Sequence, residues 1–217
     1  MKLFSAGLFL LAGCGAMNAA IIFEPGNHPQ ADEENVLLNQ VGLILGPALT
    51  VTGEIHSEYL ISFASNENLV TPSLGQARVA AEDGAFTQLG ISLGADVFTD
   101  IIFNLNTDNS TPGTALITVT EVAGPGGTFV LPVSHGQNFL TILATNGEFI
   151  KSVSITSTVD VNDIRQTRIS GAGEGESAVP EPSTYMLLAA GLGLIGLARK
   201  FKANRVFAKG EWIAKPQ

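Results

Sequence analysis

The chain has 217 residues, 45% of them hydrophobic, and a formal net charge of −9, which is enough apolar material for one core-bearing domain with appendages. The charge is divided: residues 21–178 carry eighteen Asp and Glu against Arg78, Lys151, Arg165 and Arg168, a net of −14, whereas residues 185–217 carry six Lys and Arg against Glu211, a net of +5. The acidic block is repelled by phosphate, which argues against nucleic acid as a partner, and the basic block follows an apolar run, where positive charge favours the cytoplasmic side of a membrane.

Residues 1–20 read as a signal peptide. Lys2 supplies the positive start, Leu3 to Gly15 form a short apolar region, and AMNAA (16–20) offers small residues for cleavage near Ala19 or Ala20. A rival reading lies inside this stretch, because Leu11-Ala12-Gly13-Cys14 fits the pattern after which a bacterial lipoprotein is cut and its cysteine acylated. Cys14 is the single cysteine. A chain cut after Ala19 or Ala20 therefore has no disulfide, thiol nucleophile or thiolate metal site.

Residues 21–170 are expected to form an all-β domain, an antiparallel sandwich or jelly roll of nine or ten short strands. ALTVTGEI (48–55), YLISFAS (59–65), FTQLGISL (86–93), TDIIFNLN (99–106), ALITVTEV (115–122), TFVLPV (128–133), NFLTILAT (138–145) and EFIKSVSITS (148–157) are rich in Val, Ile, Thr and Phe, and several alternate apolar with polar. TNGE (145–148) is the strongest hairpin signal, since Asn-Gly supplies the positive φ angles of a type I′ turn. DNSTPG (108–113) and GPGG (124–127) predict longer loops, and only ADEENVLLNQ (31–40) predicts a helical turn.

Two constellations within the domain invite chemistry. GISLG (90–94) matches the nucleophile elbow of serine hydrolases, with Ser92 as nucleophile, Asp96, Asp100 or Asp108 as the acid and His135 as base in the right chain order. The segment after Ser92, LGADVFTDIIFNLN, leaves no room for the helix that the elbow opens into, and a glycine-flanked serine in a strand is the competing reading. Asp160, Asn162 and Asp163, beside Arg165 at a strand entrance, offer side-chain oxygens to calcium, against a solvated turn with an ion pair. The regular spacing and turn glycine of a calcium loop are missing. His28 and His56 stand apart with no ligand spacing, and no cofactor is expected.

GAGEGESA (171–178) is too small and polar to bury surface and reads as a flexible linker. Beyond it, Tyr185 to Ala198 is a run of fourteen uncharged residues that as a helix rises only ~21 Å against a hydrocarbon core of about 30 Å. Arg199, Lys200 and Lys202 follow, with stems able to snorkel and extend the span. GLGLIG (191–196) falls inside this run, follows no strand and opens no βαβ unit, so it is not a dinucleotide site.

VPEPST (179–184), the short Leu/Gly/Ala-rich run and the basic cluster resemble the PEP-CTERM sorting signal of Gram-negative bacteria over residues 179–205. The resemblance implies recognition of Pro180, Glu181 and Pro182 by exosortase, a membrane-embedded cysteine protease or transpeptidase. It also implies a stop-transfer role for Arg199, Lys200 and Lys202, and transient anchoring in the inner membrane before surface or extracellular release. Residues 136–171 are also similar to a segment that recurs before the sorting tail in some of these proteins. Family members commonly end soon after the basic cluster, whereas residues 206–217 form an extra tail here. The expected function is that of a secreted, non-enzymatic surface or matrix protein, associated with exopolysaccharide or biofilm and with partners among polysaccharides or matrix proteins. The alternative is a secreted serine hydrolase using Ser92 and His135. The mature sandwich has Tyr59 as its one tyrosine and no tryptophan, so sugar stacking would fall mainly to Phe.

Overall fold

A computed structural model describes residues 20–174 apart from 57, 74–76, 108–111 and 123, with backbone alone at 20 and 125. The chain divides into two units, Met1–Ser177 and Ala178–Gln217, and all described residues belong to the first. They form twelve strands: β1 (Ala20–Pro25), β2 (Glu34–Asn35), β3 (Ala48–Glu54), β4 (Leu60–Val70), β5 (Arg78–Ala81), β6 (Phe86–Ser92), β7 (Asp100–Thr107), β8 (Gly113–Glu121), β9 (Gly124–Val133), β10 (Gly136–Thr145), β11 (Ile150–Val161) and β12 (Asp163–Ser170). Every pairing between them is antiparallel.

Instead of two separate layers, the strands make one sheet in the order β1-β10-β7-β12-β5-β4-β6-β11-β8-β9, with β2 beside β12 and β3 beside β4. The sheet rolls up into a nearly closed, barrel-like form, as the right-handed twist of many strands favours. Its end strands β1 and β9 meet through side chains: the Phe23 and Phe129 rings stack with centroids 5.4 Å apart. Gly127 sits under this contact, and an added Cβ there would lie 3.4 Å from the Phe23 ring.

Alternation fills the interior. Val51, Ile61, Phe63, Leu89, Ile91, Phe103, Leu105, Ile117, Leu140, Ile142, Val153 and Ile155 are all buried in one core. Strand β7 is buried on both faces, because the chain after β1 crosses its outer side. Gly26 N donates to Phe139 O at 2.9 Å, His28 N donates to Thr141 Oγ1 at 3.1 Å, and Glu33 pairs with Arg168 at 3.1 Å. Thus Ile102 and Thr141, on the face away from the core, are also fully buried.

Three local expectations are corrected. Residues 31–40 form no helical turn: after a turn at 31–32 they run extended through β2, and Leu37 exchanges backbone hydrogen bonds of 2.7 and 2.9 Å with Glu54. Gly53 permits that approach, since a Cβ on it would come within 2.5 Å of Val36 Cγ1. GPGG is not a loop but the start of β9, and it accommodates a register shift opposite Val119 and Thr120. At Asn146 and Gly147 the φ angles of 60° and 83° match the expected I′ turn, yet β10 and β11 do not pair as a hairpin. Phe98 and Thr99 lie between them: Phe98 exchanges bonds of 3.0 and 2.7 Å with Ile150, and Ala144 N donates to Thr99 O at 2.7 Å.

Asp100 stands on the covered face of β7, where its Oδ2 accepts from the hydroxyls of Ser170 and Thr99 and its Oδ1 has no partner among the described residues. Burial first, and then the charge of Glu33, push its carboxyl above the ordinary 3.8, against the two hydroxyl hydrogen bonds. The folded chain therefore holds this proton more tightly than the unfolded chain. The associated stability is present below the unfolded value and is lost as pH rises through the folded one. Asp100→Asn should accordingly gain stability relative to wild type as pH rises from about 3.8. Urea denaturation at acid and neutral pH checks this, and a pH-independent difference would contradict it.

Candidate functional site

The hydrolase constellation is not assembled. Ser92 ends β6 and pairs with Ser152, near Ile150 and the start of β7, whereas His135 is exposed beside Gly136, which pairs with Thr107 at the other end of β7. The two are thus separated along the strands by about the length of β7, eight residues or roughly 26 Å. After Ser92 the chain makes a tight turn, with Asp96 N donating to Leu93 O at 3.3 Å, and no helix follows. Asp96 lies in that turn, Asp100 is on the covered face of β7, and Asp108 is outside the described residues.

The calcium candidates differ in their surroundings. Asp163 is buried and takes both Nε and Nη2 of Arg165 at 2.6 Å, with Asn106 Nδ2 at 3.3 Å, so its carboxylate is engaged by a guanidinium. Asp160 is exposed near the end of β11, and Asn162 bonds through its backbone to Asn106 O at 2.9 Å. Among the described residues, no three His, Cys, Asp or Glu side chains group as a metal site. His28 lies with Nε2 3.1 Å from Pro25 O, and His56 is exposed in the β3–β4 turn.

What the register does bring together is a face of hydroxyl groups. Thr52, Ser62, Ser92, Ser152 and Thr120 are successive partners across β3, β4, β6, β11 and β8, and all point away from the core. One step along the strands, Thr50, Ala64, Gly90, Ser154, Thr118 and Thr128 form a second row that reaches β9. Gln88, Thr156, Leu116 and Val130 form a third. None of these side chains is charged. The glycine and serine of GISLG therefore belong to this face, while Ile91 and Leu93 between and after them enter the core. A shallow depression of about 230 Å³ lies over it, lined by Ala64, Ser65, Asn66, Gln88, Ser154 and Thr156 among others. Sequence reading passes over the face because its members come from six strands, each contributing ordinary alternation.

A second groove, of about 530 Å³, opens beside β12 where the bulge at Gln166 (φ 54°) leaves a gap between β2 and β5. Asn27, Asn35, Gln166, Thr167 and Arg168 line its polar side. Arg168 is held there by Glu33 and by Asn27 Oδ1.

The domain's last strand leads toward the sorting segment. Gly173 exchanges two 3.0 Å backbone bonds with Val97, so the chain is tied to the sheet a few residues before position 178. The PEP-CTERM protein-sorting motif matches residues 178–203. The chain carries a PEP-CTERM protein-sorting motif. The motif implies export, sorting by exosortase as the processing partner, and membrane anchoring before surface or extracellular release. Pro180, Glu181, Pro182, the run at 185–198, Arg199, Lys200 and Lys202 lie outside the described residues, as do Cys14 and all of the expected signal peptide but Ala20, which begins β1. No curated protein and no solved structure matches this chain.

Proposed function

We propose that this PEP-CTERM protein is a non-enzymatic component of the cell surface or extracellular matrix. In this reading its β domain is the delivered cargo and associates with exopolysaccharide or other matrix proteins. The sorting motif at 178–203 is the observation that carries the reading. The distance between Ser92 and His135 supports a non-catalytic role for the GISLG segment, whose glycine and serine serve the outer face of the sheet. A signal peptide cleaved near Ala19 or Ala20 accounts for export, and Pro180-Glu181-Pro182 marks the segment that exosortase recognises.

The test is the mass of the N- and C-terminal peptides of protein recovered from the native envelope and medium. The expected chain begins at Ala20 or Ile21 and ends near the Pro-Glu-Pro motif. A chain that starts at acylated Cys14 would make it a lipoprotein, and one that ends at Gln217 in the medium would overturn exosortase processing.

A further inference from the structure

We propose that the outer face of β3, β4, β6, β11, β8 and β9 binds a neutral polysaccharide chain, laid over the depression above Gly90. The proposal rests on the matrix reading above and names the surface and ligand class that would serve it. Register places hydroxyl side chains side by side at about 4.8 Å across the strands and about 6.7 Å along them. Each hydroxyl donates one hydrogen bond and accepts others, so the rows offer both halves of the bonding that sugar hydroxyls require.

Charge selects the occupant. Residues 21–178 carry a net of −14, yet the three outward rows carry no charge at all. An acidic polymer is repelled by the domain as a whole, and a basic one finds no carboxylate in these rows. A neutral polyhydroxylated chain meets neither difficulty. Gly90 and Ala64 keep the middle of the face low, and a Cβ built on Gly90 meets only Ala64 O at 3.8 Å. At one end, Leu116 and Val130 are direct partners that stay 44% and 54% exposed, offering C–H surface for a sugar ring. With no aromatic platform among these rows, each contact is weak and retention depends on many along one polymer.

The test is electrophoresis of the mature protein through native gels containing dextran or hydroxyethyl cellulose, both neutral, or alginate, a polyanion. Wild type should be retarded by a neutral polymer and not by alginate. Ser154→Glu with Thr156→Glu, both at exposed positions, should raise the apparent Kd at least about tenfold. Gln137→Glu, exposed on β10 away from the face, should change nothing. An unaltered melting temperature shows that the double variant is folded, and Ser154→Glu alone carries the same test if it is not. Retardation of wild type and double variant alike would overturn the face while leaving the matrix reading in place. Retardation in alginate alone would overturn the neutral ligand. No retardation in any gel would overturn the polysaccharide part of both readings. A dimer of wild type, broken by the double variant and indifferent to every polymer, would assign the face to a second copy and overturn the proposal.

Discussion

Phe103→Ala should destabilise the β domain by about 3–5 kcal/mol, the range for truncating a buried aromatic ring to a methyl. Phe103 is fully buried on β7, with Leu140 opposite it on β10. Strand β7 has core on one side and the crossing segment after β1 on the other, so neither side collapses easily into the cavity left behind. Against a typical domain stability of about 5–15 kcal/mol, the loss is large enough to leave a measurable unfolded fraction or to abolish folding. The measurement is urea denaturation, where the midpoint should fall with little change in slope. A shift below about 1 kcal/mol would mean that the core around β7 is far looser than its complete burial indicates.

Replacing Pro180-Glu181-Pro182 with three alanines should abolish exosortase processing while leaving the domain's melting temperature unchanged. The folded domain and the motif are chemically separable: the last described pairing to the sheet is at Gly173, and the sorting match begins at 178. Proline as a residue type restricts φ to near −65° and disfavours helix in the residue before it. Alanine removes both that restriction and the Glu181 carboxylate. The readout is the C-terminal peptide in cells that contain the enzyme. It should lie near the motif in wild type and remain joined to the tail in the variant. Equal processing of both chains would detach sorting from the Pro-Glu-Pro residues.

Much of the strand pattern was legible residue by residue. ALTVTGEI, FTQLGISL and TDIIFNLN lie within a residue of β3, β6 and β7 at each end, because alternation and β-branched residues express a half-buried strand wherever it pairs. The elements read differently are those whose conformation depends on a distant neighbour. Residues 31–40 have the composition of a helical turn, but Gly53 and the free edge of β3 offered Leu37 a backbone partner. Short β5 and β2 carry too few residues to show a period, and they exist because β12, joined by β4 in the case of β5, supplies their hydrogen bonds. The Asn-Gly turn was readable as a turn, since positive φ is a property of those two residues, whereas its two arms were parted by Phe98 and Thr99.

The sites divide along the same line. The sorting motif was legible because it is a contiguous stretch, and its match spans residues 178–203. Ser92 and His135 stood in a suggestive order, and only the pairing of β6 with β11 and of β7 with β10 set them at opposite ends of the sheet. By itself, then, the sequence determined an acidic, antiparallel β domain joined to a PEP-CTERM sorting tail, since composition, period and a linear motif are local properties. Only the tertiary structure decided that the sheet rolls nearly shut and that its uncharged hydroxyls line up across six strands. Strand partnership is a choice among segments far apart in sequence, made by the burial of whole faces rather than by any one residue.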